Sequence, residues 1–305
     1  MILRSMLYVP GNNIKLINKA LGLSMDAVIL DLEDAVPMQM KQEARNNLRQ
    51  YLGNFKKMGI SAFVRVNSFG TGLTNDDLKE VVSKELNGIV LAKTETVGEV
   101  KSVDELLTEH EIRLSLEIGR IKVTPLIESA RGVMDIYAIA RSNPRIEAVA
   151  FGAGDYLRDL GLDIESISPD QSELLYARSQ IVNSCQAVGV KPIDTPYLLS
   201  LRNSELFMNE VDIAYRLGFS GKQCIHPDQI APINRAFSPS EEKVAYSLRL
   251  VEAFEECEKQ GLGAVSFEGK MIDRMSYAQA KQLLARMKEI SEREGHAKMV
   301  MTTEK

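Results

Sequence analysis

Eight times in the first 225 residues a short apolar run ends in a polar loop and gives way to a helical pattern. The runs fall at 6–9, 27–31, 62–66, 88–91, 122–127, 148–152, 191–194 and 221–225. Pro125 weakens the middle of the fifth, because proline brings no N–H to a strand ladder. Helical patterns lie between them, at 16–20, 41–51, 75–86, 97–109, 132–140, 173–188 and 204–217. At about 30 residues per unit, this alternation predicts an α/β fold, and its extent matches the roughly 250 residues of a (β/α)8 TIM barrel. A doubly wound open sheet alternates in the same way, so the count alone does not decide. The polar residues discriminate better. Nearly every run ends in a side chain able to do chemistry: Asp31, Glu33 and Asp34; Arg65 and Asn67; Lys93; Glu128; Asp155; Asp194; His226. In a barrel these ends converge on one mouth, whereas an open sheet would string them along an edge. A barrel over residues 1–236 is therefore expected.

Beyond residue 236 the pattern changes. Ser238-Pro239-Ser240-Glu241 reads as a helix start, with a cap, a proline at the first helical position and a glutamate three after the cap. The helix should run to Gln260 and stop at Gly261, with Val244, Leu248, Val251 and Phe254 as its apolar stripe. A loop at 263–273 and a second helix at 276–293 follow, the latter with Leu283, Leu284, Met287 and Ile290 on its apolar face. The polar end, 294–305, reads as a mobile tail. Residues 237–305 are surplus to an eight-fold barrel and are expected to form a helical lid or oligomerisation segment.

Composition removes several function classes. The net charge is −5, and mild acidity gives no support to nucleic-acid binding. No apolar run approaches the roughly 18 residues of a transmembrane helix. The start, Met1-Ile2-Leu3-Arg4-Ser5, lacks the features of a secretory signal, so a cytoplasmic location away from membranes is expected. Cys185, Cys224 and Cys257 are widely spaced and fit no zinc or redox pattern, so they read as reduced thiols. With three histidines in the chain, any metal is expected to be a hard cation held by carboxylates.

Glu128 and Asp155 stand 27 residues apart, one strand–helix unit, at the ends of adjacent strands. Two such carboxylates can share a magnesium ion, which takes one or two protein carboxylates and fills its shell with water and substrate. Two solvated acids at loop starts would read the same way. Arg65, between Val64 and Val66, needs an anionic partner inside a strand. That partner is a substrate oxygen, or Glu33 or Asp34, or both. Lys93 suits a Schiff-base nucleophile only with a depressed pKa, and nearby carboxylates push the other way. An ion pair with Glu128 or Glu95 is the expected alternative. His226 is a general acid–base or, by preference, a structural hydrogen-bonding group. His110 and His296 read as surface residues. Gly11 is followed by no phosphate-loop pattern. Lys15, Lys19, Lys41 and Arg45 follow the first two strands and read equally as phosphate ligands or solvated helix faces.

Several motifs, taken together, resemble the citrate lyase beta-subunit-like family, in the CoA-ester lyase branch of the HpcH/HpaI aldolase superfamily. They are Arg4-Ser5-Met6-Leu7-Tyr8-Val9-Pro10-Gly11, Asp31-Leu32-Glu33-Asp34-Ala35-Val36, Val64-Arg65-Val66-Asn67 and Ile127-Glu128-Ser129. Gly152-Ala153-Gly154-Asp155-Tyr156, Gly221-Lys222-Gln223-Cys224-Ile225-His226-Pro227 and Gly269-Lys270-Met271-Ile272-Asp273 complete the set, which spans residues 4 to about 288. The resemblance implies a β/α barrel, Mg2+, and a homotrimer or dimer of trimers. It implies cleavage of a 3-hydroxyacyl thioester into an acyl thioester and a 2-keto acid such as pyruvate, glyoxylate or oxaloacetate. Residue by residue, Glu128 and Asp155 match the metal ligands and Arg65 the arginine on the keto-acid oxygens. Glu33 and Asp34 match the acidic motif at the mouth. Asp273 matches an acid–base aspartate that can reach a neighbouring subunit's site. Lys19, Lys41 and Arg45 are the candidates for CoA phosphates, although Asn13-Ile14-Lys15 departs from the Arg-Pro-Glu common in the family.

Gly154, where many complex-bound subunits carry Glu, and His226, where several carry Asn, favour a stand-alone lyase of the citramalyl-CoA or malyl-CoA type. The alternatives are a citrate lyase beta subunit acting on a citryl carrier protein within a complex, and a malyl-CoA thioesterase or malate-synthase-like activity. A non-enzymatic CoA-ester binder would have no need of Glu128, Asp155, Arg65 and Asp273 together.

Overall fold

The computed structural model describes residues 1–199, 204–259 and 265–303. The order of elements is β1 Ser5–Pro10, α1 Ile14–Ala20, β2 Ala27–Asp31, α2 Lys41–Lys57, β3 Ser61–Val66, α3 Thr74–Val81, β4 Gly88–Leu91 and α4 Val97–Arg113. Then come β5 Lys122–Ile127, α5 Ala130–Ala140, β6 Ala148–Phe151, α6 Ala153–Asp159, α7 Ser172–Val188, β7 Lys191–Asp194, α8 Ser204–Leu217, β8 Gly221–Cys224 and α9 Ile230–Ala236. The eight strands pair in parallel in chain order and close when β8 pairs with β1, Ser5 against Lys222 and Leu7 against Cys224. This is the TIM barrel that the alternation predicts. Pro125 lies within β5 in register with Leu91, the last residue of β4.

The strands are apolar on both faces because helices cover one and the barrel interior the other. The period of two sorts them. Met6, Ala27, Ile29, Phe63, Val90, Leu126, Ala148, Ala150 and Ile193 form one buried cluster drawn from β1 to β7, the filling of the barrel. Two residues further along the same inward rows stand Tyr8, Asp31, Arg65, Glu128, Gly152 and Thr195, and all six line the barrel's cavity. The mouth is thus the polar top layer of the core.

Residues of opposite parity face the helices, and the barrel unit holds further buried ion pairs away from its mouth. Arg4 grips Asp26 through Nε and Nη2, each at 2.9 Å. Arg145 grips Glu111 at 2.7 and 2.8 Å. Asp194 belongs to this class: Arg178 Nε and Lys222 Nζ donate to it at 2.9 and 2.7 Å, and all three are fully buried. It ends a strand, as expected, but on the outward parity, so it takes no part in the mouth.

The chain divides into two compact units, Leu3–Arg235 and Ala236–Lys305 with Met1–Ile2. In the second unit α10 spans Glu241–Lys259, and its expected stop at Gln260–Gly261 lies outside the described residues. Its buried face runs through Ser247, Leu250, Phe254 and Cys257; of the expected stripe Phe254 is buried and Val251 packs against the same core, while Leu248 is exposed. The expected loop at 263–273 is instead, from Val265 on, an antiparallel hairpin of β9 Val265–Phe267 and β10 Lys270–Ile272. Its two-residue turn, Glu268-Gly269, has φ of 45° and 77°, the positive pair that suits a tight hairpin. α11 runs over Arg274–Thr303, so the tail expected to be mobile is largely helical. Phe254 and Tyr277 stack at 4.9 Å in the small core of this unit.

Candidate active site

β2 and β3 bring Asp31 and Arg65 into register, and the guanidinium closes on the carboxylate with Nε and Nη2 at 2.7 and 2.6 Å. Nη1 lies 3.1 Å from Glu33 Oε2. The sequence pointed to Glu33 or Asp34 as partner; Asp31 takes the two-pronged bond because it sits directly opposite on the neighbouring strand. Tyr8 supports the guanidinium from beneath, its ring centroid 4.9 Å from Arg65 Cζ. Burial holds the Tyr8 phenol well above its usual pKa, so it stays a neutral donor, and it donates to Gln223 Oε1 at 2.7 Å. Asp31 takes two of the five Arg65 N–H groups and Glu33 pairs with Nη1, while the guanidinium also lines the cavity.

Lys93 follows β4 in a left-handed conformation with φ of 53°, which a non-glycine residue holds only when its surroundings demand it. That turn lets one residue serve two directions. Its N–H donates to Glu128 Oε1 at 2.8 Å, while its ammonium bonds Glu33 and lies 3.3 Å from Asp34 and 3.7 Å from Asp155. The ammonium therefore pairs with the acidic motif rather than with Glu128 or Glu95. Burial works to lower the Lys93 amine, but the bond to Glu33 and the charges of Asp34 and Glu128 outweigh it and hold the amine well above its ordinary range. An ammonium held in its charged form by these carboxylates is a poor nucleophile, which weighs against the Schiff-base reading.

Glu128 lies just past β5 and is 7% exposed. Burial pushes its carboxyl up to about 8, with Glu33 and Asp155 adding to the rise and the Lys93 N–H and Arg65 opposing it. Asp155 stands in the first turn of α6 rather than at the start of a loop. Ala153-Gly154-Asp155 hid that helix, because glycine is a poor helix former. Arg158, one turn on, donates to Asp155 Oδ1 at 2.7 Å. Among the described residues no group of three or more His, Cys, Asp or Glu is placed to hold a metal. Two carboxylates that follow adjacent strands and line one cavity nevertheless suit a hard cation that completes its shell with water and substrate. Gly152 makes the room: a Cβ there would lie 2.8 Å from Glu128 Oε2.

The cavity has a volume of about 320 Å³ and is floored by Leu126 and Gln223 and walled by Pro10, Asp34, Pro196, Leu198 and Ile225. Glu33 is buried beside it; burial raises its carboxyl while Arg65 and Lys93 oppose that rise. Asp34 is drawn below its ordinary range: burial acts to raise it, but the bond with Glu33 and the charges of Lys93 and Arg65 prevail. Tyr8, Gln223 and Thr195 are site residues that motif reading passed over, and inward parity on β1, β7 and β8 is the signal that finds them.

Other candidates are placed elsewhere. Lys41 is buried and donates to Leu32 O and Glu33 O at 2.6 and 2.9 Å, and Arg45 is buried on Asp77 at 2.7 Å. Both are held within the barrel unit and do not face solvent, so neither is free for a CoA phosphate; Lys19 is exposed in the last turn of α1. Asn67 is buried and donates to Asp77 and Leu32 O. His226 caps a short 3₁₀ turn, Nδ1 accepting from the Asp228 N–H at 3.2 Å. His110, expected at the surface, is buried against Asn75 Oδ1 at 3.1 Å; the side chain of His296 lies outside the described residues. Asp273 belongs to the C-terminal unit, where it precedes α11 and accepts from the N–H and hydroxyl of Ser276, each at 2.9 Å. Those bonds hold its carboxyl below the usual range.

Comparison with known proteins places this geometry in context. The family model HpcH/HpaI aldolase/citrate lyase matches residues 4–227. The citrate lyase subunit beta of Haemophilus influenzae is 36% identical over 285 residues, 93% of this chain and 97% of its own length. The mitochondrial citramalyl-CoA lyase of Rattus norvegicus is 32% identical over 300 residues, covering 95% of this chain and 87% of its own. Among solved structures, the protein CitE of Mycobacterium tuberculosis in complex with magnesium, acetoacetate and coenzyme A superposes with a TM-score of 0.72 at 29% identity, covering 93% of this chain and 97% of that one. Among the described residues no helix is long and apolar enough to cross a membrane.

Proposed function

The chain belongs to the HpcH/HpaI aldolase/citrate lyase family and is an oxo-acid lyase acting on a CoA ester or a citryl group, and from that premise we propose magnesium-dependent cleavage of a 3-hydroxyacyl-CoA of the citramalyl-CoA or malyl-CoA type. The products are an acyl-CoA such as acetyl-CoA and a 2-keto acid. The observation that carries this reading is the meeting of Arg65, Glu128 and Asp155 around one cavity. Glu128 and Asp155 would hold the magnesium, which supplies Lewis-acid polarisation of the substrate's hydroxyl and carboxylate oxygens when bound. Arg65 turns the N–H groups that Asp31 does not take toward those oxygens, where negative charge grows as the carbon–carbon bond opens. Asp31 and Glu33 keep that fork aimed. Asp34 lines the cavity and is the member of the acidic pair assigned to take the hydroxyl proton. Asp273 is ionised at neutral pH, the form that removes a proton in the condensation direction. A homotrimer or dimer of trimers is part of the same proposal, read by analytical ultracentrifugation.

The test is an assay of purified protein with (S)-citramalyl-CoA, (R)-citramalyl-CoA and malyl-CoA, each with magnesium and with EDTA, measuring the keto acid directly. Magnesium-dependent release supports the proposal and names the substrate. Release untouched by EDTA sinks it. Loss of thioester with no keto acid points to the thioesterase. The similarity to citrate lyase subunit beta favours one further reading, a citryl group on an acyl-carrier protein; silence on all three CoA esters with turnover of that carrier substrate would establish it.

Gly152→Ala probes the cation site without touching a charge. Its Cβ would meet Glu128 Oε2 at 2.8 Å, too close for either to stay in place. Mn2+ affinity is expected to fall on the order of 10- to 100-fold, as when the support of a metal ligand is disturbed. Titration calorimetry checks this.

A further inference from the structure

Asp155 rides on α6, a helix of seven residues with no side-chain cap at Gly152. The Gly152 N–H is held by Ile127 O at 2.9 Å. The next N–H, that of Ala153, is donated to Thr195 Oγ1 at 3.0 Å, a buried bond to the end of β7. Thr195 is 2% exposed and its own backbone is anchored from behind the barrel wall. Thr195 O accepts from Lys222 Nζ at 2.7 Å, and that fully buried ammonium also binds Asp194 Oδ2 at 2.7 Å and Glu210 Oε1 at 2.5 Å. Arg178 closes the cluster, bonded to Asp194 at 2.9 and 3.1 Å. Two cations balance two anions, and moving any member would leave a buried charge uncompensated, so the cluster resists displacement.

We infer that Thr195, clamped by the Lys222–Asp194 cluster, is a positioning residue for Asp155: it fixes where α6 begins and hence where the carboxylate stands in the mouth. The inference rests on the proposed reading of Asp155 as a cation ligand. Ala153 is two residues from Asp155 in the same helical turn, and glycines flank Ala153 on both sides, so the backbone there has little stiffness of its own. The strand-end acid Asp194, which the cavity does not use, thereby acquires a part in the site.

The test removes the acceptor and keeps the shape. Mn2+ alone, without substrate, is titrated by electron paramagnetic resonance into the full-length wild type, Thr195→Val, Thr195→Ser and Asp155→Asn. Thr195→Ser keeps the hydroxyl and should stay within about two-fold of wild type, while Thr195→Val should bind on the order of ten-fold more weakly. Hydrogen exchange of residues 152–159 should be faster in Thr195→Val and unchanged in Thr195→Ser. A Thr195→Val protein that binds Mn2+ as wild type and exchanges as wild type overturns the inference. If wild type and Asp155→Asn bind alike, the cation reading of Asp155 fails instead. The exchange data then decide whether Thr195 sets α6, and unchanged exchange overturns that too.

Discussion

Arg65→Lys should lower turnover about 100- to 1,000-fold while the barrel stays folded, the loss typical of one removed donor to a developing oxyanion. The native fork bonds Asp31 with two N–H groups, pairs with Glu33 through Nη1 and still lines the cavity. An ammonium is a point charge with three donors; it can answer the carboxylates or the substrate, not both. Arg65→Met goes further, because it leaves Asp31 buried without its cation and Glu33 with Lys93 alone. Breaking a buried pair in this way costs about 3–5 kcal/mol, so urea unfolding should separate the two variants where activity alone would not. Equal turnover in Arg65→Lys and wild type would remove Arg65 from the chemistry.

Cation binding should depend on pH through Glu128. Its carboxyl is pushed up to about 8, so near neutrality it carries a proton that a cation must displace. Mn2+ affinity should therefore rise about ten-fold per pH unit from pH 6 to 8 and level off above, with one proton released per ion. The stability of the metal-free protein runs the opposite way. The folded value lies above the ordinary 4.5, so the metal-free protein keeps this contribution at low pH and loses it as pH rises through about 8. The increase in melting temperature on adding Mn2+ should grow over that window. Glu128→Gln should abolish both the binding and its pH dependence, and lower turnover about 100-fold or more. Calorimetry in buffers of different ionisation enthalpy counts the proton, and a flat profile from pH 6 to 9 would refute the assignment.

Much of this site was legible beforehand. Arg65 and Glu128 stand at the ends of runs of strand-forming residues and Asp155 in the first turn of the helix that follows another, and a charge in those places is a strong signal in a barrel. The signal fails where parity is ignored. Asp194 also ends a strand, yet it faces the helices and serves the wall. Lys41 and Arg45 look like surface cations on amphipathic α2, but Lys41 lies against the carbonyls of Leu32 and Glu33, and Arg45 meets Asp77, 32 residues away. In the C-terminal unit the Glu268-Gly269 turn was readable in principle, since Glu-Gly between short apolar runs suits a hairpin.

The eight strand–helix units, the closed barrel and the polar top layer follow from the sequence itself, because strand periodicity and helix periodicity are local properties of neighbouring residues. Partnership is not local. Asp31 claims Arg65 because parallel pairing sets them side by side, although 34 positions separate them. The left-handed turn at Lys93 exists because a backbone N–H and an ammonium must reach carboxylates on different strands. The elevated Glu128 carboxyl and the hold of Thr195 on α6 arise the same way, from burial and from contacts across the closed sheet, which only the folded barrel brings within hydrogen-bonding distance.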